Sequence, residues 1–202
     1  MAKKPISNNS ELMHGICMLN VIPVINKPSD AGDMINQLLF GETFQVIYRK
    51  SKFWIKIQAT HCSVSGWVKT NQILLIDEKT YNNLSEPSAK ALEICHPVFN
   101  GDNAKNIVIG SRLPLFDGIS LIMPDGKYIF NGQATTPEGF ETDAELIVKI
   151  AKRFLHTPEL SGGRSPFGID SGALIQHIYS FFNIHLPRTP IEQCRYGENI
   201  DF

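Results

Sequence analysis

Up to about residue 137, short runs of alternating apolar and polar residues are separated by turn residues. The run 54–58 (WIKIQ) shows this alternation. It predicts a half-buried strand, because successive side chains of a strand point to opposite faces. From residue 141 the apolar residues recur at helical spacing instead. The pattern therefore predicts an α+β chain whose main helices follow its strands.

The strand runs fall into two groups. In the first, 16–24, 44–48 and 66–68 join 54–58, and we predict a small β-barrel over 13–77. A linker over 78–91 follows, with one helical turn before Pro87.

The second group of strands lies within 92–137, where we predict another small β-barrel. Its sharpest feature is Asp125-Gly126, which lies between the apolar runs 121–123 and 128–130. Glycine adopts a positive φ without steric cost, so this dipeptide predicts a hairpin.

Two main helices are predicted after residue 141. Thr142 or Asp143 can cap the first, and Pro158 ends it. The second begins near Asp170 or Ser171, and its apolar surface is wider than one stripe. A final short helix is predicted after 186–190 (LPRTP).

Composition narrows the function classes. Lys and Arg total 19 against 20 Asp and Glu, so a net charge of −1 gives no field to hold nucleic acid. The sequence predicts neither a membrane span nor a secretory signal. As written, the chain is expected in the cytoplasm, and it would be periplasmic or extracellular if a signal had been removed.

Four cysteines, Cys17, Cys62, Cys95 and Cys194, are widely spaced and form no C-x-x-C pair. We expect free and mostly buried thiols rather than disulfides. His61 beside Cys62 and Cys95 beside His96 have no known ligand spacing, because neighbours in a strand point apart. We therefore expect no metal site, and the sequence indicates no cofactor.

The segment 161–176 (SGGRSPFGIDSGALIQ) resembles the nucleophile region of the NlpC/P60 cysteine peptidases. In that family a catalytic cysteine follows the aspartate and opens the helix, and Ser-Gly usually follows it. Here Ser171, Gly172 and Ala173 occupy those places. The catalytic nucleophile is thus replaced, and we expect no catalytic residue of the family's kind.

Both β units strengthen the resemblance. The runs 26–30 (NKPSD), 39–42 (LFGE) and 66–68 (GWV) resemble a bacterial SH3 domain. The segment 110–118 (GSRLPLFDG) is similar to the second SH3-like domain of three-domain murein-peptide endopeptidases. The resemblance implies two SH3-like barrels followed by a truncated papain-like domain over 141–202, because the family's catalytic histidine lies well downstream of the nucleophile helix.

The resemblance also implies the candidate substrate-binding residues. The region of Arg164 shapes the family's cleft, and Asp170 matches an aspartate that recognises the free amine of L-Ala-γ-D-Glu stem peptides. Ser161 and Val64 stand where related enzymes place aromatic substrate contacts, and Ser171 stands at the nucleophile. From the residues alone Asp170 can bind an ammonium or cap the helix, and capping is favoured.

His177 and His185 follow Ser171 but are poorly placed as general bases. Six residues of helix separate Ser171 from His177, which places them on different faces. We expect a solvated helix histidine and a histidine in a loop after the helix.

Three functions remain open. The favoured one is a catalytically inactive NlpC/P60-like protein with a binding or assembly role, for murein stem peptides or for a protein partner. The second is a γ-D-glutamyl-L-diamino acid endopeptidase seen in an inactivated or shortened form. The third is a tandem SH3-like interaction module.

The helix over 171–184 also suggests an interface. Apolar side chains lie on two sides of this helix, and their combined surface is larger than one neighbouring element can cover. Exposed apolar patches usually mark interfaces. We expect a homodimer or a protein partner to dock there, with Phe182 near the centre.

Overall fold

The computed structural model describes residues 13–62 and 64–198. The predictions for the N-terminal residues 1–12 and for the last four positions of the 141–202 segment lie outside them. The mixture of sheets and helices confirms the α+β class.

An antiparallel sheet occupies the first unit. Its strands are β1 (His14–Ile16), β2 (Val21–Ile25), β3 (Met34–Leu39), β4 (Thr43–Arg49), β5 (Trp54–Ala59), β6 (Ser65–Lys69) and β7 (Leu74–Ile76). They lie in the order β3-β2-β6-β5-β4-β1-β7. Along β5, Ile55 and Ile57 are buried while Trp54 and Lys56 are partly exposed, which confirms the half-buried strand.

The predicted linker contains a helix rather than a single turn. Helix α1 (Glu78–Ser85) is capped by Asp77, whose carboxylate accepts a hydrogen bond from the Thr80 N–H. Its Tyr81 and Leu84 are buried in a core shared by the two β units, with Ile16 on one side and Val98 on the other. The two units are therefore continuous in packing.

The second unit contains a sheet of four antiparallel strands. These are β9 (Cys95–Asn100), β10 (Asn103–Val108), β12 (Ser120–Met123) and β13 (Gly126–Ile129), in the order β10-β9-β13-β12. A separate ribbon pairs β8 (Ala89–Lys90) with β11 (Arg112–Leu113). The predicted hairpin is confirmed, since Gly126 has φ 136° and Met123 pairs with it across the turn.

Helices and one short hairpin form the last segment. Helix α2 (Ala144–Ala151) continues into a 3-10 turn (Lys152–Phe154), the strands β14 (Arg164–Ser165) and β15 (Gly168–Ile169) form the hairpin, and α3 (Ser171–Ser180) and α4 (Pro190–Gln193) follow. Asp143, Asp170 and Thr189 cap the three helices through their side chains. None of the described helices is long and apolar enough to cross a membrane.

The last segment packs on the second unit rather than standing apart. Its core joins Ile150 and Phe154 to Ile178 and Phe181, and Leu92 and Ile109 of the second unit belong to the same cluster. His177 is 1% exposed, and its ring lies edge-on to those of Phe154 and Phe181. The expectation of a solvated histidine is wrong, because two aromatic rings cover that face of α3.

The expected position of Phe182 is also corrected. Its side chain is 5% exposed and packs near Phe140 within the same chain. Ile175 is 40% exposed, so it is the apolar side chain that α3 does offer to solvent. A dimer or partner on this helix stays a prediction, but Phe182 cannot be its centre because the chain's own core covers it.

The cysteines are free, as expected, but their burial differs from the expectation. Cys17 is buried and Cys62 partly so, whereas Cys95 and Cys194 are exposed. Among the described residues, no group of three or more His, Cys, Asp or Glu side chains is arranged to hold a metal ion.

The burial of Phe182 gives a stability prediction. Phe182→Ala should lower the free energy of unfolding by about 3 kcal/mol or more, because it removes a buried ring and leaves a cavity. Urea denaturation followed by circular dichroism measures the change. Ile175→Ala, on the same helix but half exposed, is the control and should change stability much less; equal losses would contradict the assignment of the two faces.

Candidate functional site

Arg164 is buried in an ion pair with the first β unit. Its guanidinium donates to both carboxylate oxygens of Glu42, at 3.0 Å each, and to the Gln37 carbonyl oxygen at 2.8 Å. Its backbone N–H donates to Gln37 Oε1 at 2.7 Å. Arg164 is 4% exposed and Glu42 3%, so the pair is shielded from solvent. Arg164 therefore joins the last segment to the first unit.

The electrostatics of this pair follow from its burial. Burial alone would raise the pKa of Glu42, but the Arg164 guanidinium, with a smaller contribution from His61, lowers it to about 2. Burial opposes the charge of Arg164 as well, yet Glu42 raises the pKa of the guanidinium. Both groups are ionised at neutral pH.

Asp170 is fully engaged within the chain. It caps α3 by accepting from the Ala173 N–H at 2.8 Å, and it accepts from the Gly162 N–H at 2.9 Å. Arg188 binds both of its carboxylate oxygens, at 2.8 and 2.6 Å. The structure thus shows the capping arrangement, and a ligand ammonium would have to share the carboxylate with Arg188.

Ser171 is the first residue of α3 and is exposed. Within the described part of the chain its hydroxyl forms no hydrogen bond with an imidazole nitrogen. The following Gly172 is buried, and a Cβ there would lie 2.5 Å from the Arg188 carbonyl oxygen. A serine at that position, as in the resembling family, would require the Arg188 backbone to move.

The other predicted contacts are dispersed. Ser161 is exposed at the start of the glycine loop, and Gly162 packs so tightly on β3 that a Cβ would lie 2.4 Å from the Met34 carbonyl oxygen. Val64 is partly buried, and its carbonyl accepts from the Ala59 N–H. The Gly162 N–H donates to Asp170, so the glycine loop contacts this aspartate. Arg164 pairs with Glu42 and Asp170 pairs with Arg188, so the two predicted site residues do not share an ionic partner.

A cavity of about 440 Å³ lies where the three parts of the chain meet. We call it the central cavity, and its polar wall comprises Glu42 and His61 of the first unit, Lys90 and Arg112 of the second, and Arg164, Gln176 and His177 of the last segment. Exposed residues also line it, namely Pro87, Pro137, Asn183 and His185, so it opens to solvent. Asp170 and Ser171 are not among its lining residues.

Sequence reasoning named Arg164 as a substrate contact and considered His177 only as a base, and it assigned no role to the other residues of this wall. Glu42 and Arg112 lie in the runs 39–42 and 110–118, but those runs indicated only SH3-like domains, and Glu42 lies 122 positions from Arg164. Lys90 lies in a short ribbon outside both runs. A signal was present only for the helix, where Gln176 and His177 are polar residues within an apolar surface.

Comparisons with known proteins agree with this architecture. Residues 24–73 match the family described as the bacterial dipeptidyl-peptidase Sh3 domain. Over 58 residues the chain is 41% identical to the gamma-DL-glutamyl hydrolase of Bacillus subtilis, which is 28% of this chain and 14% of that protein. The chain thus matches only a small part of that relative.

Two solved structures share the fold over most of the chain. An NlpC/P60 family protein from Bacillus cereus superposes with a TM-score of 0.80 at 17% identity, covering 93% of this chain and 78% of that one. An NlpC/P60 endopeptidase from Photobacterium damselae subsp. piscicida gives 0.69 at 20% identity, covering 93% and 47%.

These similarities define the class of protein. The chain has the fold of NlpC/P60 proteins and contains an SH3 domain of the bacterial-peptidase type. The resemblance predicted from the sequence is confirmed.

The Arg164–Glu42 pair predicts a pH dependence of stability. The unfolded chain protonates Glu42 near its ordinary pKa of 4.5, whereas the folded chain keeps it ionised to about 2. The folded state then binds fewer protons, so the free energy of unfolding should fall as the pH drops from about 4.5 to 2.

Chemical denaturation across that pH range tests this. In Glu42→Gln the fall should be shallower, and the variant should be less stable at pH 7 because Arg164 is left buried without its counterion. Glu138→Gln, an exposed change of the same kind, is the control. An unchanged pH slope in Glu42→Gln would contradict the assignment.

Proposed function

We propose that this chain is a non-catalytic NlpC/P60-like protein with a binding or assembly role. The observation that carries the proposal is the serine at the position of the family's nucleophile. Ser171 opens α3 with no imidazole hydrogen-bonded to it among the described residues. A serine hydroxyl needs such a base to become a nucleophile, whereas a thiol at a helix N-terminus ionises readily.

Two ion pairs support the same conclusion. Arg164 is held by Glu42, and Asp170 by Arg188. Truncating one partner of a buried pair such as Arg164–Glu42 typically costs about 3–5 kcal/mol, so both pairs can be explained by their contribution to the fold without any catalytic role. Their presence therefore does not argue for a working peptidase.

The ligand class is part of the proposal. The resemblance implies L-Ala-γ-D-Glu stem peptides of murein, and the relative named gamma-DL-glutamyl hydrolase supports peptides with γ-glutamyl linkages. A protein partner on α3 is the other candidate. Encounter with murein fragments would place the protein either in a cell that recycles them or outside the membrane.

Gly172 bears on the alternative of an inactivated enzyme. Replacing a cysteine by serine would by itself abolish a thiol peptidase, and it would not require the next residue to change. Yet a Cβ at Gly172 would meet the Arg188 carbonyl oxygen at 2.5 Å and Pro190 Cδ at 2.9 Å. The first turn of α3 is therefore built around glycine, which favours a natural non-catalytic site.

The tandem SH3 alternative treats the last segment as a separate interaction surface. Arg164 binds the first unit, and the core of α2 and α3 includes Leu92 and Ile109 of the second. All three parts thus contribute to one packed body, which favours a binding role for the whole assembly.

The proposal predicts no hydrolysis of L-Ala-γ-D-Glu-diamino acid peptides. Release of the free diamino acid is measured by a chromatographic assay at high protein concentration. Ser171→Ala is the control variant and should give the same baseline. Release by the unaltered protein that disappears in Ser171→Ala would overturn the proposal.

A thiol restored at position 171 should be reactive without being catalytic. In Ser171→Cys the new thiol lies at the N-terminus of a ten-residue helix, which lowers a thiol pKa. Iodoacetamide should therefore label it faster than Cys95 or Cys194, which are exposed elsewhere.

The matched control is Ser161→Cys, an exposed serine in the neighbouring loop but not at a helix end. Mass spectrometry of timed samples gives both rates. Equal rates would show that the helix terminus does not act on position 171, and peptide turnover by Ser171→Cys would show that the site has a base.

A further inference from the structure

The central cavity is distinct from the Asp170–Ser171 end of α3, and its charges do not balance within the protein. Of its three fully cationic residues, Arg164 is paired with Glu42. Lys90 Nζ donates to the Ser180 carbonyl oxygen, and Arg112 donates to Ser88 Oγ and to the Glu86 carbonyl oxygen. Neither Lys90 nor Arg112 has a carboxylate partner among the described residues.

Residues that line the cavity also carry buried polar atoms without a hydrogen-bond partner in the described protein. They are Gln176 Oε1, His177 Nδ1, Arg164 Nε and the two ring nitrogens of His61. Gln176, His177 and Arg164 are 5%, 1% and 4% exposed. Buried polar groups are nearly always hydrogen-bonded, so five such atoms on the residues of one cavity wall point to a ligand.

Gln176 Oε1 and His177 Nδ1 can both be assigned as hydrogen-bond acceptors. Gln176 Nε2 donates to the Leu186 carbonyl oxygen, which leaves Oε1 as an acceptor. His177 Nε2 lies 3.1 Å from the Ile109 carbonyl oxygen, which can only accept, so Nε2 carries the proton. Burial and Arg164 lower the pKa of His177 to about 3, so the ring is neutral and Nδ1 is an acceptor.

The cavity wall therefore contains both cations and acceptors. An anionic group suits Lys90 and Arg112, whereas N–H or O–H donors suit Gln176 and His177. Its volume of about 440 Å³ lies within the range of about 300–1,000 Å³ that holds small molecules. Helix α3 supplies both acceptors.

From this arrangement we propose that the central cavity binds a small carboxylate that also carries N–H or O–H donors. Its carboxylate pairs with Lys90 and Arg112, and its donors bind Gln176 Oε1 and His177 Nδ1. This inference specifies a ligand class for the binding role proposed above and uses a site that contains neither Asp170 nor Ser171.

The state of Lys90 agrees with this. Burial, followed by the charges of Arg112 and Arg164, lowers the pKa of Lys90 to about 8, and only Glu42 opposes them. The groups that face it across the cavity also include His61, His177 and His185, the first two of which are neutral at pH 7. A bound carboxylate would supply the counter-charge that the wall lacks.

Titration calorimetry at pH 7 with four probes tests the proposal. Gluconate has a carboxylate and hydroxyl donors, sorbitol has the donors without the charge, acetate has the charge with few atoms and no donors, and inorganic phosphate is a different anion. Gluconate should bind, and each of the others at least tenfold more weakly, since a charged hydrogen bond contributes about 1.5–3 kcal/mol. Equal binding of sorbitol or of phosphate would overturn the assigned class.

Variants then locate the binding. Lys90→Met should weaken gluconate binding about tenfold or more while the protein stays folded, because the change removes a buried cation. Lys127→Met, an exposed lysine on the second sheet, is the control and should bind as the unaltered protein does. Gln176→Glu, which places a carboxylate in the cavity, should abolish binding of gluconate by repulsion.

Unchanged binding in both Lys90→Met and Gln176→Glu, or no gluconate binding by the unaltered protein, would overturn the inference. Either result leaves the hydrolysis assay as it stands, because that assay reports on Ser171. Detection of peptide hydrolysis, conversely, would overturn the non-catalytic function and leave the gluconate measurements valid.

Discussion

The buried ion pair between Arg164 and Glu42 fixes the last segment on the first β unit. Glu42 is itself fixed, because its carboxylate accepts from the Leu39 N–H at 2.8 Å. Arg188 adds a second link by donating to Asn36 Oδ1 on β3 while it binds Asp170 at the start of α3. Two guanidinium groups thus set where α3 lies, and with it the wall of the central cavity. If either anion were neutralised, a buried guanidinium would be left without its counterion, which is far more costly than the loss of a surface pair.

Local signals in the sequence were sufficient to predict local structure. Asp170 was favoured as a helix cap, and Asp143 was one of two candidates with Thr142; each aspartate accepts a hydrogen bond from a backbone N–H in the first turn. The Asp125-Gly126 hairpin and the alternation in β5 were also predicted correctly. In each case the determining contacts lie within a few residues along the chain.

Long-range packing could not be predicted in the same way. His177 lies on a helix with apolar residues on several sides, and the sequence does not say which neighbour covers which face. Phe154 and Phe181 cover the histidine, and the core of the last segment covers Phe182. The carboxylate partner of Arg164 is 122 positions away and the carbonyl partner of Lys90 is 90 positions away, and nothing in the sequence links either pair. The sequence could therefore suggest Asp170 and Ser171 as candidate site residues, but it could not suggest the cavity.

The N-terminus and the buried face of α3 differ in whether the charged groups around them have partners within the protein. We take this difference to distinguish a structural role for the N-terminus from a binding role for the buried face. At its N-terminus every charged group has a partner within the chain: Asp170 has Arg188, two backbone N–H groups and the helix end. On its buried face, Gln176 and His177 line the same cavity as Lys90 and Arg112, which have no carboxylate partner among the described residues. Keeping a cation without a counterion away from water destabilises a fold, and the ligand proposed for the cavity would supply that counterion. The proposed non-catalytic end of the helix is thus compatible with the proposed binding cavity along its side.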